Sequence, residues 1–303
     1  MSTDTQSALK RFSENCMLVS IRVGVAGQTY TSDRASNDAA MVNNANKSRI
    51  KTSVLKFTNA DLKPCRKERD DAKALLNAVT VPWNSNGERI VQVKTYQNIK
   101  SRLRNHRAKF YDYRDEFIRG YSTLVDSARE ELTHLFDEDR FPDPDEVSGQ
   151  FSFDIKTDVI TDPEDIRISG TVELIEEVRD EMQQRQIRKL NDSKQDFLDR
   201  LIERLKKTYG SVSNLHEKKE AGEDTKFFDS AITGVVTLCD TLSDINITKD
   251  PELEDFGNQL EQTFGSLDIT MIKESPTVRE EVLETTGSIL EALENYKPTA
   301  FKA

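Results

Sequence analysis

The sequence has few of the residues that build metal sites and disulfide frameworks. It contains three cysteines, three histidines and one tryptophan among 303 residues. Cys16, Cys65 and Cys239 are far apart and form no C-x-x-C pair, so no zinc-ligand spacing can be assembled. The odd number of cysteines argues against the disulfide framework of a secreted domain. We therefore expect three reduced structural thiols, no metal and no cofactor.

Long apolar runs are also absent. No stretch approaches the roughly 20 apolar residues that a membrane-spanning helix needs, and the polar N-terminus shows no secretory signal. Charged residues make up 32% of the chain, against about 25% in an average globular protein. Such a composition is typical of elongated helical structure, in which much of each helix faces water. We predict a cytoplasmic protein, in the host-cell cytoplasm if the chain is of phage origin, with no membrane contact.

The motifs of the common catalytic sites are missing. The sequence contains no G-x-x-x-x-G-K-[ST] loop, no G-x-S-x-G elbow and no H-E-x-x-H pair. Gly24 and Gly27 follow a predicted strand but lack the basic residue and helix start of a phosphate loop, so they indicate a simple turn. We predict that the chain is not an enzyme, and no small-molecule substrate is identified.

Two long amphipathic patterns dominate the chain. From Tyr96 to Leu135 apolar residues recur in steps of three and four, which predicts one helix of about 40 residues with a bend at Gly120. The candidate interface on this helix, called the helix seam below, consists of Tyr96, Ile99, Leu103, Phe110, Tyr113, Phe117 and Leu124. A second pattern runs over 172–215, with Thr171 as its cap. Its apolar stripe weakens in EMQQRQIRKL (181–190), which indicates either a partner contact or plain solvent exposure.

The remaining segments predict a small β element and further helices. Alternating apolar residues indicate strands within 17–25, at 150–160 and at 166–169, whereas 31–53 is typical of a loop with one short helix. The fold class is therefore mainly α with a small β element (α+β). It has two long antiparallel amphipathic helices, a small antiparallel sheet at one end and a C-terminal helical part. The predicted domains are a long-helix hairpin with the sheet (1–218), a C-terminal helical region (225–296) and a flexible tail (297–303).

Charge is strongly segregated along the chain. Residues 47–114 carry seventeen Lys+Arg and six Asp+Glu, a net charge of +11, whereas residues 115–303 carry twenty-two and forty-four, a net charge of −22. Either the basic segment binds nucleic acid or another polyanion, or the basic and acidic parts attract each other within one chain or between subunits. Tyr96 and Tyr111 are near enough to offer stacking surfaces. The candidate nucleic-acid-binding residues are Arg66, Lys67, Arg69, Lys100, Arg102, Arg104 and Arg107.

The order of several short motifs adds a family resemblance. A strand at 18–24 precedes Leu62-Lys63-Pro64 and Val81-Pro82-Trp83, and a long helix ending in Leu135-Phe136 precedes a strand at 151–155. In this pattern residues 12–215 resemble an uncharacterised family of phage and mobile-element proteins, domain-of-unknown-function family 3150. The family has no established activity. Its members resemble proteins whose genes lie beside those of two other proteins. One is a ring-forming AAA+ ATPase similar to the cobaltochelatase small subunit, and the other is a von Willebrand A-type protein. The resemblance therefore implies an adaptor or substrate-side component of an ATPase machine.

Two functions follow from these patterns. The first is a non-enzymatic interaction or adaptor protein of a phage or mobile element, which self-associates or binds a partner protein through coiled-coil-like seams. The seams favour it because they expose more apolar surface than two helices cover. The alternative is a nucleic-acid-binding protein that holds single-stranded or duplex DNA through the basic segment 47–114.

Overall fold

The computed structural model describes residues 10, 12–165, 171–223, 227, 230–246, 250–265 and 267–297. It is 71% helical and 12% strand, which confirms a mainly α fold with a small β element. The predicted strand at 166–169 and all but the first residue of the predicted tail lie outside the described residues. Within those residues, no helix combines the length and the apolar character that crossing a membrane requires.

The first half of the chain alternates short strands with helices. Its elements are β1 (Cys16–Gly24), β2 (Thr29–Ser32), α1 (Asp33–Val42), β3 (Thr52–Leu55), α2 (Asn59–Ala78), β4 (Val81–Pro82), β5 (Arg89–Gln92), α3 (Val93–Arg119), α4 (Tyr121–Leu132) and α5 (Pro144–Ser148). Gly120 separates α3 from α4, at the predicted bend. The segment 31–53, predicted as a loop with one short helix, contains the short helix α1, a 3-10 turn at Lys47–Arg49 and the start of β3.

The second half is helical after one strand. Its elements are β6 (Ser152–Val159), α6 (Val172–Glu220), α7 (Ser230–Ile245), α8 (Pro251–Phe264), α9 (Ile269–Glu274) and α10 (Pro276–Asn295). The hydroxyl of Thr171 accepts a hydrogen bond from the Leu174 amide at 3.3 Å, so Thr171 is the predicted cap of α6. At 49 residues, α6 is about 73 Å long on the rise of an α-helix.

The strands form two small sheets. The first has the order β4-β5-β1-β6, and β1 runs antiparallel to β5 with Leu18 opposite Ile90. The second is the antiparallel pair β2 and β3, with Tyr30 opposite Val54. Gly24, at the end of β1, is needed because an added Cβ would lie 2.8 Å from the Ser152 hydroxyl of β6.

The chain divides into two compact units, each built from separate segments. The first unit contains residues 1–20, 76–97 and 157–303, and the second contains residues 21–75 and 98–156. The predicted domains, with their boundary between 218 and 225, stay a prediction. In the first unit α6 packs against α7 and α10. Periodicity predicts that one face of α6 is buried, but it does not identify the covering helix.

The apolar stripe of α6 forms the centre of the first unit. Its buried members contact a cluster contributed by the C-terminal helices. From α6 these are Ile187, Leu190, Phe197, Leu198, Leu201, Leu205, Val212 and Leu215, and from α7 to α10 they include Ile232, Val235, Leu242, Leu253, Leu260, Phe264, Val282, Ile289 and Leu293. Because α7, α10 and β4 pack against α6, the second long apolar pattern is explained by intramolecular packing.

Residues 181–190, where that stripe weakens, combine exposed polar and charged side chains with two buried glutamines. Gln183 and Gln186 are buried. The Gln183 side-chain amide donates to Glu164 at 3.1 Å, and that of Gln186 donates to the Thr161 carbonyl at 2.6 Å. The amide nitrogens of both glutamines therefore bond to the segment before α6, whereas the buried Gln186 Oε1 has no hydrogen-bond partner among the described residues.

Two arginines hold the chain just after α2. Arg200 of α6 donates to the carbonyls of Asn77 and Thr80 at 2.9 and 3.0 Å, and Arg89 of β5 also donates to the Thr80 carbonyl at 3.0 Å. Burial and the charge of Arg200 lower the pKa of Arg89 to about 10. Cations are favourable here because the last carbonyls of a helix lack intrahelical partners and carry partial negative charge.

A buried ion pair joins α6 to the start of α8. Lys194 Nζ lies 3.4 Å from the Asp250 carboxylate, and both side chains are nearly inaccessible to solvent. The Tyr296 hydroxyl donates to the same carboxylate at 2.5 Å, and the Glu252 amide donates at 3.2 Å. Burial alone raises the pKa of Asp250, but the Tyr296 hydrogen bond and the Lys194 charge outweigh it, so the pKa is lowered from 3.8.

We predict that Asp250→Asn lowers the free energy of unfolding by about 3 kcal/mol near neutral pH, because it leaves the buried Lys194 charge without its counter-ion. Because the folded-state pKa of Asp250 is depressed, this contribution is present above 3.8 and declines as the pH falls below it. Urea denaturation of the wild type and the variant at about pH 7, 5 and 3 measures the difference in their free energies of unfolding. Glu254→Gln, an exposed change on the same helix, is the control. Equal stability of the two variants at neutral pH would contradict the prediction.

Candidate nucleic-acid interface

The core of the second unit holds α3 along one narrow stripe. Ile99, Leu103, Phe110 and Phe117 are buried. The Phe110 ring centroid lies 5.4 Å from that of Phe153 in β6, and the Phe117 centroid lies 5.1 Å from that of Phe57. These four members of the helix seam therefore lie in the core of this unit. The other three, Tyr96, Tyr113 and Leu124, are half-buried.

A polar contact anchors the basic half of α3 to α2. His106 Nδ1 lies 2.7 Å from a carboxylate oxygen of Glu68, whose side chain is only 7% exposed. One turn away, the Cys65 thiol donates to the Phe110 carbonyl at 3.8 Å, and burial raises its pKa to about 11. The two contacts fix the rotation of α3 about its axis and thereby determine which side chains face solvent.

The candidate cations on α2 are engaged with neighbouring groups. The Lys67 ammonium lies 2.6 Å from Asp71, and the Arg69 guanidinium lies 2.8 Å from Asp70. Arg66 donates to the side-chain oxygens of Gln28 and Asn59 at 2.7 and 3.2 Å. These three side chains therefore have local acceptors that compete with an external anion.

The candidate cations on α3 have no such partners. Lys100, Arg102, Arg104 and Arg107 are exposed, and none makes an ion pair or side-chain hydrogen bond with the described residues of its own unit. The structure adds Lys109, exposed in the same way. We call the five side chains Lys100, Arg102, Arg104, Arg107 and Lys109 the α3 basic face.

A sequence signal separates the two groups of cations. Residues 89–111 contain seven Lys+Arg and no Asp or Glu, whereas Glu68, Asp70 and Asp71 lie among the cations of α2. Acids one or four positions from a cation offer it a partner on the same helix, as Asp70 and Asp71 do for Arg69 and Lys67. The acid-free window therefore identifies Lys100, Arg102, Arg104 and Arg107, which have no acid within four positions on α3. Lys109 lies in the same window, three positions before Asp112.

The tyrosines proposed as stacking surfaces have other contacts. Tyr111 accepts a hydrogen bond from the Phe153 amide at 3.1 Å, its ring lies edge-on to Phe110, and the Arg114 guanidinium lies 4.7 Å from its centroid. Tyr96 is half-buried. Between 97 and 109 the sequence contains no Phe, Tyr or Trp. The exposed part of α3 therefore offers charge and hydrogen bonds rather than aromatic surface.

Other features weighed in the sequence do not form a site. The Gly24 amide donates to the Ser152 hydroxyl and the Gly27 amide to Gln150, both at 3.2 Å, so these amides are already used. All three cysteines are buried. Over the described ranges, no group of three or more His, Cys, Asp and Glu side chains is placed to hold a metal ion.

A cleft in the first unit gives no sign of a catalytic or binding site. It has a volume of about 230 Å³ and is lined partly by Asn77, Arg200 and Lys207. Arg200 is committed to the carbonyls after α2 and to Asp196, 3.0 Å away. Lys207 lies 2.6 Å from Glu203. The charged groups at this cleft therefore form pairs within the protein.

The chain matches no protein-family model, and comparisons with curated proteins and with solved structures also found no match. The resemblance to domain-of-unknown-function family 3150 therefore stays a prediction.

We predict that His106→Leu lowers the free energy of unfolding by about 3 kcal/mol, because it leaves the buried Glu68 carboxylate without its partner. Arg107→Leu, at the exposed neighbouring position, is expected to change it by less than about 0.5 kcal/mol. The double change Glu68→Leu with His106→Leu should recover much of the loss, since it removes both polar groups. Chemical denaturation of the four proteins measures this, and equal effects of the two single changes would contradict it.

Proposed function

We propose that the protein binds nucleic acid through the α3 basic face. The observation that carries the proposal is the set of five exposed Lys and Arg side chains over 100–109, a stretch of α3 that itself contains no Asp or Glu. The phosphate backbone is a regular array of negative charge, and its contacts with Lys and Arg supply most of non-specific nucleic-acid binding.

Repulsion between these like charges destabilises α3. Lys100 and Arg104 are four positions apart and Arg104 and Arg107 are three apart, so like charges face each other along one side of α3. Each such pair destabilises a helix by roughly 0.2–0.5 kcal/mol. No described acid of this unit compensates for it. An uncompensated cost of this kind is expected at functional surfaces, where an external anion relieves the repulsion.

The same geometry bears on the alternative in which the basic segment is an internal complement. Of the paired cations, Arg114 supports that alternative through Asp115, whereas Lys67 and Arg69 pair with Asp71 and Asp70 inside the basic segment itself. The α3 basic face supports nucleic-acid binding, because it has no such pairs. The acidic remainder of the chain repels polyanions, which is expected to weaken indiscriminate binding elsewhere on the surface.

A protein-partner or adaptor role is a second candidate. The seams that first suggested it are largely buried, but Met41 and Val42 at the end of α1 are 77% and 82% exposed. Leu55 on β3, the strand against which α1 packs, is also exposed. These apolar side chains support a contact with a protein. A phage or mobile-element origin and a role beside an AAA+ ATPase and a von Willebrand A-type protein are implied by the family resemblance alone.

We predict steeply salt-dependent binding to nucleic acid that requires the α3 basic face. Replacing Arg102, Arg104 and Arg107 by Gln should reduce the slope of log affinity against log salt on duplex DNA by about 2 to 3. The slope falls because each phosphate contact that is lost lowers the number of counterions released on binding. Electrophoretic mobility shifts between about 50 and 200 mM salt measure the slope, first on duplex and single-stranded DNA.

The matched control replaces three cations that the structure shows paired, Lys67, Arg69 and Arg114, by Gln. It changes the net charge by the same amount, so a general electrostatic effect would affect both variants equally. We expect the control to keep most of the salt slope. No binding to either form of DNA at low salt, or equal losses in the two variants, would overturn the proposed function.

A further inference from the structure

The α3 basic face consists of two rows with a neutral row between them. At 100° per residue, Lys100, Arg104 and Arg107 fall on one flank of α3, and Arg102 and Lys109 fall on the opposite flank. Ser101, Asn105 and Ala108 lie midway between the flanks, directly opposite the buried stripe of Ile99, Leu103 and Phe110. All eight surface side chains are exposed. The outermost line of the helix is thus small and uncharged, with cations on both sides.

We propose that this half of α3 lies in the major groove of duplex DNA, with each cationic flank on the phosphates of one strand. The inference rests on the proposed function and specifies its substrate class. The major groove is about 12 Å wide, which matches the roughly 10–12 Å diameter of an α-helix with its side chains. Cations on both flanks suit a ligand that has a phosphate backbone on each side of the helix.

The neutral row supports the same geometry. Small side chains at Ser101 and Ala108 let the helix approach the floor of the groove. Asn105 is at the centre of the row, and an asparagine amide pairs bidentately with the N6 and N7 edge of adenine. A helix that only lies across phosphates has no use for an uncharged outermost line. The row therefore faces base edges, and Asn105 is the residue that discriminates among them.

Single-stranded nucleic acid and duplex RNA fit these residues less well than duplex DNA does. Single-strand-binding surfaces stack bases on aromatic side chains, and residues 97–109 contain no Phe, Tyr or Trp. Duplex RNA has a deep, narrow major groove that side chains do not read. The acids Asp112, Asp115 and Glu116 follow on α3 and limit the contact to its first half. Residues 97–109 span about 20 Å of helix, or roughly six base pairs.

Interference footprinting on duplex DNA tests the inference. We expect methyl groups on guanine N7, which project into the major groove, to weaken binding, and methyl groups on adenine N3, in the minor groove, to have no effect. Ethylated phosphates should interfere on both strands. Replacing Arg102 and Lys109 by Gln should remove the ethylation signal from one strand, and replacing Lys100, Arg104 and Arg107 should remove it from the other.

The role of Asn105 is tested on the same duplexes. Asn105→Ala should lose roughly 5- to 150-fold in affinity for the preferred duplex and little for a random one, while Ser122→Ala, an exposed change on α4, should change neither. Circular dichroism checks that the exposed replacements leave the helix intact. Binding without guanine-N7 interference, or equal affinity for single strands, overturns this inference and leaves the proposed function standing. No binding to any DNA overturns both.

Discussion

The structure of the second unit depends on one constraint. Its aromatic core buries only a narrow stripe of α3. Phe57, Phe151 and Phe153 contact the helix through Phe110 and Phe117, and the stripe continues through Leu103 and Ile99. The Glu68–His106 pair fixes the same face from α2. A helix buried along one line must present the rest of its surface to solvent. The orientation of the basic residues is therefore a consequence of core packing rather than of any contact that they make.

The contrast with α6 shows what the sequence could and could not predict. Both long patterns identified helices correctly, including the break at Gly120 and the cap at Thr171. The patterns are nearly the same, yet α6 packs against α7 and α10, whereas α3 packs against α2 and β6. Periodicity reports that a face is apolar and says nothing about the partner. The elements that cover each helix therefore could not be predicted from the apolar pattern alone.

Polar residues were harder to predict for a related reason. Gln183 and Gln186 interrupt an apolar stripe and yet are buried, because they bind groups at Glu164 and Thr161 that are distant in sequence. The candidate cations were identified by charge alone, which treats Lys67 and Arg104 alike. The structure distinguishes the two residues. Lys67 pairs with Asp71, whereas Arg104 has no acid within four positions on its helix. Local acid spacing is visible in the sequence, but the orientation of the helix is not.

The central claim is that Arg102, Arg104 and Arg107 are accessible in the free protein and covered by DNA in the complex. Arginine modification by a dicarbonyl reagent, mapped by mass spectrometry with and without duplex DNA, tests it most directly. The account predicts rapid modification of these three in the free protein and protection by DNA, with slow modification of the buried Arg279 in both states. Modification of the three as slow as that of Arg279, or no protection by DNA, would contradict it.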